Sequence, residues 1–388
     1  MNIPFNKPYL SGKELEYITD SVRSGKISGD GKYTKKVHDF FENELGFQKS
    51  LMTTSCTDAL EMAAILCEIQ SGDEVIAPSY TFVSTVNAFV LRGAKLVFAD
   101  SMVSHPNIDT SHLESLITSR TKAIIAVHYA GVACDMGEIM TLAKRYHLFV
   151  IEDAAQAIDS QYKGQTLGSI GHFGAFSFHE TKNVISGEGG LLTVNTPKYN
   201  SRAEIIREKG TNRSQFFRGE VDKYGWTDVG SSFLPSDIIS AYLFAQLEKL
   251  EDIQSKRKMI WNKYFDQLQF LLEFGVDLPQ IPDYATNNAH MFYLVCLDLN
   301  QRAALINYLK SAGIHAVFHY QALHKSPYYC AKHDDRSLTN CDKFTDQLVR
   351  LPLFYELSDI QQQFIIEKIS DFFMPIKRSP SHSRISSL

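Results

Sequence analysis

Between about residue 50 and residue 195 the chain alternates short apolar runs with stretches whose apolar residues recur at helical spacing. The runs are "SLMTTS", "DEVIAPS", "KLVFAD", "KAIIAVH", "LFVIEDA", "FGAFSFH" and "GLLTVN", with helical segments such as "TDALEMAAILCEI" and "DMGEIMTLAKRYH" between them. Strands covered on both faces read as continuous apolar runs rather than as alternations. The pattern therefore predicts an α/β layer fold: seven strands in a mostly parallel sheet covered by helices. From Pro235 to about Phe274 the pattern is helical without interruption, with proline suited to the first turn. It predicts one long helix that leaves the sheet. Beyond it, "HMFYLVCLDL" reads as a strand and "QRAALINYLKSAG" as a helix ended by Gly313. "HAVFHY" and "SDIQQQFIIEKISDFF" complete a smaller α+β unit. The expected division is a large unit over 1–245, a small unit over 246–375, and a polar, aperiodic, disordered tail over 376–388.

Composition narrows the function classes. The 388 residues are 44% hydrophobic and 21% charged, ordinary values for a globular protein with room for a substantial core. A net charge of −5 argues against nucleic-acid binding, which needs a basic surface. The six cysteines form neither a C-x-x-C pair nor a zinc spacing, so neither a disulfide framework nor a metal site is expected. No apolar stretch approaches a membrane span, and the N-terminus carries no signal-peptide core. The expectation is a cytoplasmic protein without a membrane partner.

Three stretches carry candidate chemistry. No G-x-G-x-x-G follows a strand, and "GKISGDGKY" has the wrong spacing for a phosphate loop, so it reads as a mobile glycine loop. In "VIEDAAQA", Glu152 and Asp153 end an apolar strand, where active-site groups of open α/β sheets collect. Such a pair serves as helix N-cap, as partner of a buried cation or, least plausibly here, as metal ligand. In "TTSCTDALEMAA" a strand runs through Thr54, Ser55 and Thr57 straight into a helix, whose N-terminal amides make a phosphate cradle. The same hydroxyls also cap helices routinely. In "SFHETKN…GEGG" a lysine, Lys182, follows a later strand. A cradle, an acid and a lysine in this order are what pyridoxal phosphate requires: the phosphate needs the cradle, the ring nitrogen a carboxylate, and the aldehyde an amine for a Schiff base.

On the stretches "IPFNKP", "PSYTFVSTVNAFVLRGA", "VHYAG", "EDAAQA", "SFHETKN…GEGG", "HYQALH" and "LPLFY", the chain resembles the DegT/DnrJ/EryC1/StrS sugar aminotransferases, within the fold type I pyridoxal phosphate enzymes. The resemblance covers all but the tail. It implies that Lys182 carries the cofactor as a Schiff base and that Asp153 pairs with the pyridinium nitrogen. Gln156 then lies beside the ring and Phe82 stacks on its face. Ser55, Cys56 (through its backbone amide) and Ser177 hold the phosphate. It further implies a nucleotide-sugar substrate, L-glutamate as amino donor, and a homodimer with shared active sites.

One departure is "GSSFLPSD", where many relatives have "G-Y-N-Y-R". Ser232 stands at the asparagine that reaches the neighbouring subunit's cofactor phosphate, and its reach is shorter. Ala322 replaces a common proline in "HYQALH". Lys209 and Arg213 either neutralise a pyrophosphate or form a solvated basic face. His290, His319, Tyr320 and His324 sit at expected edges of the cleft, and His128 and His179 are comparable candidates. The presence of Lys182 argues against the 3-dehydratase branch, where histidine replaces it. Together with Asp153 and the cradle, it argues against a non-catalytic regulator.

Overall fold

The computed structural model describes residues 1–374; the expected tail over 376–388 lies outside the described residues. All seven apolar runs form strands: β1 (Ser50–Thr53), β2 (Glu74–Pro78), β3 (Lys95–Ala99), β4 (Thr121–Val127) and β5 (Phe149–Asp153). After a small hairpin of β6 (Gln161–Tyr162) and β7 (Gln165–Thr166) come β8 (Phe173–Ser177) and β9 (Gly190–Val194). The sheet order is β1-β9-β8-β5-β4-β2-β3. Strands β3, β2, β4, β5 and β8 pair in parallel, and β9 runs antiparallel to both neighbours, β8 and β1. Six of the seven strands thus end at the same edge, the edge where ligands of open α/β sheets bind.

Beneath that edge, Glu152 ties the central strands to the loop that enters β8. Its fully buried carboxylate accepts from the backbone N–H groups of Gly168 (2.7 Å), Ile170 (2.7 Å) and Gly171 (2.6 Å), and faces His128 Nε2 at 2.9 Å. Of the acidic pair read from the sequence, Glu152 is therefore structural, and only Asp153 reaches the edge.

The long helix expected from Pro235 to Phe274 is two helices, Asp237–Leu247 and Leu250–Gln267, followed by a 3-10 segment, Gln269–Phe274. The first is wedged between helices Glu14–Arg23 and Lys32–Asp39, and the second turns away to pack on another core. A continuous helical period cannot reveal such a change of partner. The glycine segment expected to be mobile is fixed by the same wedge. A Cβ on Gly29 would stand 2.2 Å from Leu234, and one on Gly31 would stand 2.4 Å from Asp237. Asp237 in turn accepts from Thr34 N (2.8 Å), Thr34 Oγ1 (2.9 Å) and Ser21 Oγ (3.0 Å).

The second core lies around an antiparallel sheet, β10-β12-β11, of β10 (Phe292–Val295), β11 (Val317–Phe318) and β12 (Leu348–Leu351). Its middle strand, β12, was not among the strands read from the sequence. Helices Leu299–Ser311 and Asp359–Phe373 cover this sheet, and Ile3 from the N-terminus is buried in the same core. We propose 245/246 as the passage between the two units, because it falls in the last turn of helix Asp237–Leu247.

Replacing Glu152 by alanine strands three buried amides and a histidine. Glu152→Ala is expected to cost about 3–5 kcal/mol of unfolding free energy, read from the urea midpoint of the apo-protein. An unchanged midpoint would mean that these amides find other partners.

Candidate active site

The sheet edge and the second unit enclose a cavity of ≈ 670 Å³ lined by Ser55, Cys56, Phe82, Asp153, Gln156, Ser177, Lys182, His319 and Tyr320, among others. Strand β5 delivers Asp153 to its floor. Asp153 Oδ2 accepts from Thr85 Oγ1 at 2.7 Å and Oδ1 from Ala155 N at 3.1 Å, and these two hydrogen bonds hold the carboxylate in place. Three residues on, Gln156 is locked through both ends of its amide. Its Oε1 accepts from Ala130 N (2.6 Å) and its Nε2 donates to Tyr320 Oη (3.0 Å).

Lys182 follows β8 on a short turn in which its N–H donates to His179 O at 2.9 Å. Its neighbour Asn183 is buried and anchors the turn, donating to Gln254 Oε1 (2.7 Å) and Asn288 O (3.0 Å) and facing His290 Nδ1 at 2.7 Å. Burial holds the Lys182 amine below the ordinary lysine value of 10.5. Cys56 and Asp153 act in the opposite direction, and the Arg350 guanidinium adds to the depression. His319 and His290 are both held well below their ordinary value by burial and are neutral.

Strand β1 runs into Ser55, which caps the eleven-residue helix Cys56–Leu66 by accepting from Asp58 N at 3.0 Å. Gly190, opposite Ser177 in the β8–β9 register, presses its backbone on this turn: a Cβ there would lie 2.2 Å from Ser55 C and 2.3 Å from Cys56 N. Only glycine leaves the helix N-terminus in place beside Ser177. A capped helix start, a buried acid and a desolvated lysine around one cavity fit pyridoxal phosphate. Ser55, Cys56, Ser177 and Asp153 all line this cavity. Burial raises the Cys56 thiol well above its ordinary value, which leaves it protonated.

The second unit supplies the cavity's other wall. His319 stacks on Tyr320 at 3.5 Å between ring centroids, and its Nδ1 lies 2.7 Å from Tyr129 Oη. Its carbonyl accepts from Tyr80 Oη at 2.6 Å. Phe82 lines the cavity with 55% of its surface exposed, its ring 6.1 Å from that of Tyr320. His179 and His290 also line the cavity. Besides His128, which is buried against Glu152, four sequence candidates lie elsewhere in this chain. His324 is buried against Ser79 Oγ (2.8 Å) and Asp342 (3.4 Å) and fastens the second unit to the end of β2. Ser232 is exposed and bridges Glu208. Lys209 borders a shallow hollow beside Trp226, and exposed Arg213 lies over the Phe217 ring at 5.0 Å. The sequence reading missed Thr85, Tyr129 and Arg350. Thr85 lies within "PSYTFVSTVNAFVLRGA" and Tyr129 within "VHYAG", while Arg350 immediately precedes "LPLFY".

Comparison with known proteins gives the family. Residues 8–370 match the model of the DegT/DnrJ/EryC1/StrS aminotransferase family. The chain belongs to that family. GDP-perosamine synthase of Escherichia coli O157:H7 is 32% identical over 96% of this chain and 98% of its own. The UDP-4-amino-4-deoxy-L-arabinose–oxoglutarate aminotransferase of Shewanella sediminis is 32% identical over 95% and 97%. A Streptococcus pneumoniae protein solved in its PLP form superposes with a TM-score of 0.86 at 26% identity, covering 96% of this chain and 98% of the other. The family member described here is a pyridoxal phosphate-dependent aminotransferase of fold type I.

The balance of charges on Lys182 gives a pH prediction. The rate at which the apo-protein's Lys182 is reductively methylated should rise with pH through an inflection below 10.5. Because Asp153 raises the amine's pKa, Asp153→Asn should move the inflection further down. A shift upward would contradict the assigned electrostatics.

Proposed function

We propose that this enzyme transfers the amino group of L-glutamate to C4 of TDP-4-keto-6-deoxy-D-glucose, giving TDP-4-amino-4,6-dideoxy-D-galactose and 2-oxoglutarate in two alternating half-reactions. The observation that carries the transaminase part is the desolvated Lys182 amine sharing one cavity with Asp153 and a capped helix start. The names of the two relatives, one with a GDP-linked sugar and one with a UDP-linked 4-amino sugar, support an aminated nucleotide sugar as product, the 4-amino group being named in the second. The second also names oxoglutarate, the acid left when glutamate gives up its amine. The stretches "REKGTNRSQFFRGEVDKYGWTDVGSS" and "NNAHMFYL" resemble the transaminase that makes this sugar for enterobacterial common antigen.

When bound, pyridoxal phosphate supplies an electron sink for charge developing on the carbon next to the amino nitrogen. Asp153, fixed by Thr85 and the Ala155 amide, would keep the ring nitrogen protonated. Ser55, the Cys56 amide and Ser177 would hold the phosphate, with Phe82 and Gln156 as the residues that would contact the ring. Lys182 Nζ, whose pKa desolvation lowers, removes the proton from the glutamate α-carbon and in the second half delivers one to C4 of the sugar. The face of delivery sets an axial or equatorial amine.

The protein acts as a homodimer in this reading. The segment from Lys209 to Ser232 stands outside its own cavity and exposes Trp226 (85%) and Phe217 (68%), aromatic surface that a second copy covers. It brings Lys209, Arg213 and Ser232 toward the partner's site, where the two cations meet the substrate pyrophosphate.

Proton NMR of the product formed from glutamate and TDP-4-keto-6-deoxyglucose tests the assignment. Small H3–H4 and H4–H5 couplings are expected, reporting an axial C4 amine. Large couplings would mean an equatorial amine and a different product. Bleaching of the cofactor by glutamate without sugar turnover would keep the transaminase and reject this substrate, leaving a C3-transaminase or another nucleotide-linked ketosugar.

A further inference from the structure

Arg350 has a place in the cavity that the arrangement described so far does not use. It stands on β12, the middle strand of the second sheet, opposite Tyr293 on one side and Val317 on the other. Its side chain lines the cavity that holds Lys182. Among the described residues no carboxylate pairs with it, and its buried Nε has no hydrogen-bond partner. Its guanidinium lies 4.5 Å from the centroid of the Phe5 ring. The groups that sense its charge are Tyr80, Tyr129, Tyr320, His290, His319 and Lys182. The tyrosines are neutral phenols and the histidines are held neutral, so nothing in this wall compensates the cation.

A desolvated guanidinium left without a counter-ion is costly unless an anion arrives. Its planar fork suits a carboxylate through two parallel N–H···O bonds. We infer that Arg350 is the site that receives the α-carboxylate of the amino donor.

This rests on the transaminase reading, which requires an amino acid with its amine at Lys182. The α-carboxylate is bonded to the very carbon that loses its proton, so a cation lining the same cavity as Lys182 is within its reach. In a nucleotide sugar the phosphates leave from C1, across the ring from the reacting C4. Only the donor therefore brings negative charge to this wall. Once the keto acid has left, the same guanidinium faces uncharged sugar hydroxyls, which it binds more weakly. One cavity can thus admit an anionic and a neutral reaction partner in turn.

The test separates the two half-reactions of the holoenzyme by stopped-flow absorbance. Arg350→Gln is expected to raise the half-saturating glutamate concentration for cofactor bleaching about 10- to 100-fold, the range for losing a charge-assisted hydrogen bond. Recovery of the colour with the ketosugar should change by less than about threefold, which also shows that the variant is folded. Arg350→Lys, which keeps the charge and loses the fork, should fall between the two. Calorimetry with glutarate, a dicarboxylate that cannot react, should show binding to the wild-type holoenzyme that Arg350→Gln loses. Equal loss in both half-reactions, or loss confined to the ketosugar half, would overturn the assignment, the latter by making Arg350 a phosphate anchor. So would glutarate binding unaffected by the substitution. Wild-type holoenzyme that glutamate fails to bleach would instead sink the transaminase reading, while the glutarate titration still decides the role of Arg350.

Discussion

In the proposed mechanism the chemistry depends on the desolvation of one amine. Lys182 is carried beyond β8 into a cavity whose walls include the Tyr320 phenol, the neutral imidazoles of His290 and His319, the fixed carboxylate of Asp153 and the Arg350 guanidinium. The loss of water around its Nζ outweighs what Asp153 and Cys56 return, so the amine is depressed rather than stabilised as a cation. A surface lysine at the same strand end would be protonated and solvated, unable either to form an imine readily or to take a proton from carbon. The buried support around Asn183, His290, Gln254 and Asn288 holds the Lys182 turn against that dry wall.

Parallel pairing supplies the rest of the arrangement. Strands pointing the same way deliver Ser55, Asp153 and Ser177 to one edge, although they are far apart in sequence. The residues that alternate with them do structural work. Glu152 points away from the cavity and fastens the β8 entry loop, while Asp153 points into it. Tyr320 and Ala130, both non-glycine residues in the left-handed region, meet on either side of the Gln156 amide. Backbone strain of this kind persists where surrounding contacts over-determine it, and here it fixes the Gln156 side chain in the cavity wall.

The seven strands and the order of cradle, acid and lysine were legible because each leaves a local trace: an apolar run, a hydroxyl before a helix, a charged residue at a strand end. The break at Glu248–Lys249 was not legible, since helical spacing continues across it while the packing partner changes. The tightness of Gly29 and Gly31 was likewise invisible, because the atoms they press on lie about two hundred residues away. β12 is short and bears Arg350 in its middle, so it offers no apolar run to read.

The sequence by itself determined the fold class, the family and the order of helix-start hydroxyls, acid and lysine, because those depend on residue type and local spacing. Only the tertiary structure decided which charged groups lack a partner and which histidines are neutral. It alone showed that His324 belongs to a packing cluster and Arg350 to the cavity. Burial and ion pairing are properties of what surrounds a side chain, and for these residues the surroundings come from the other sheet.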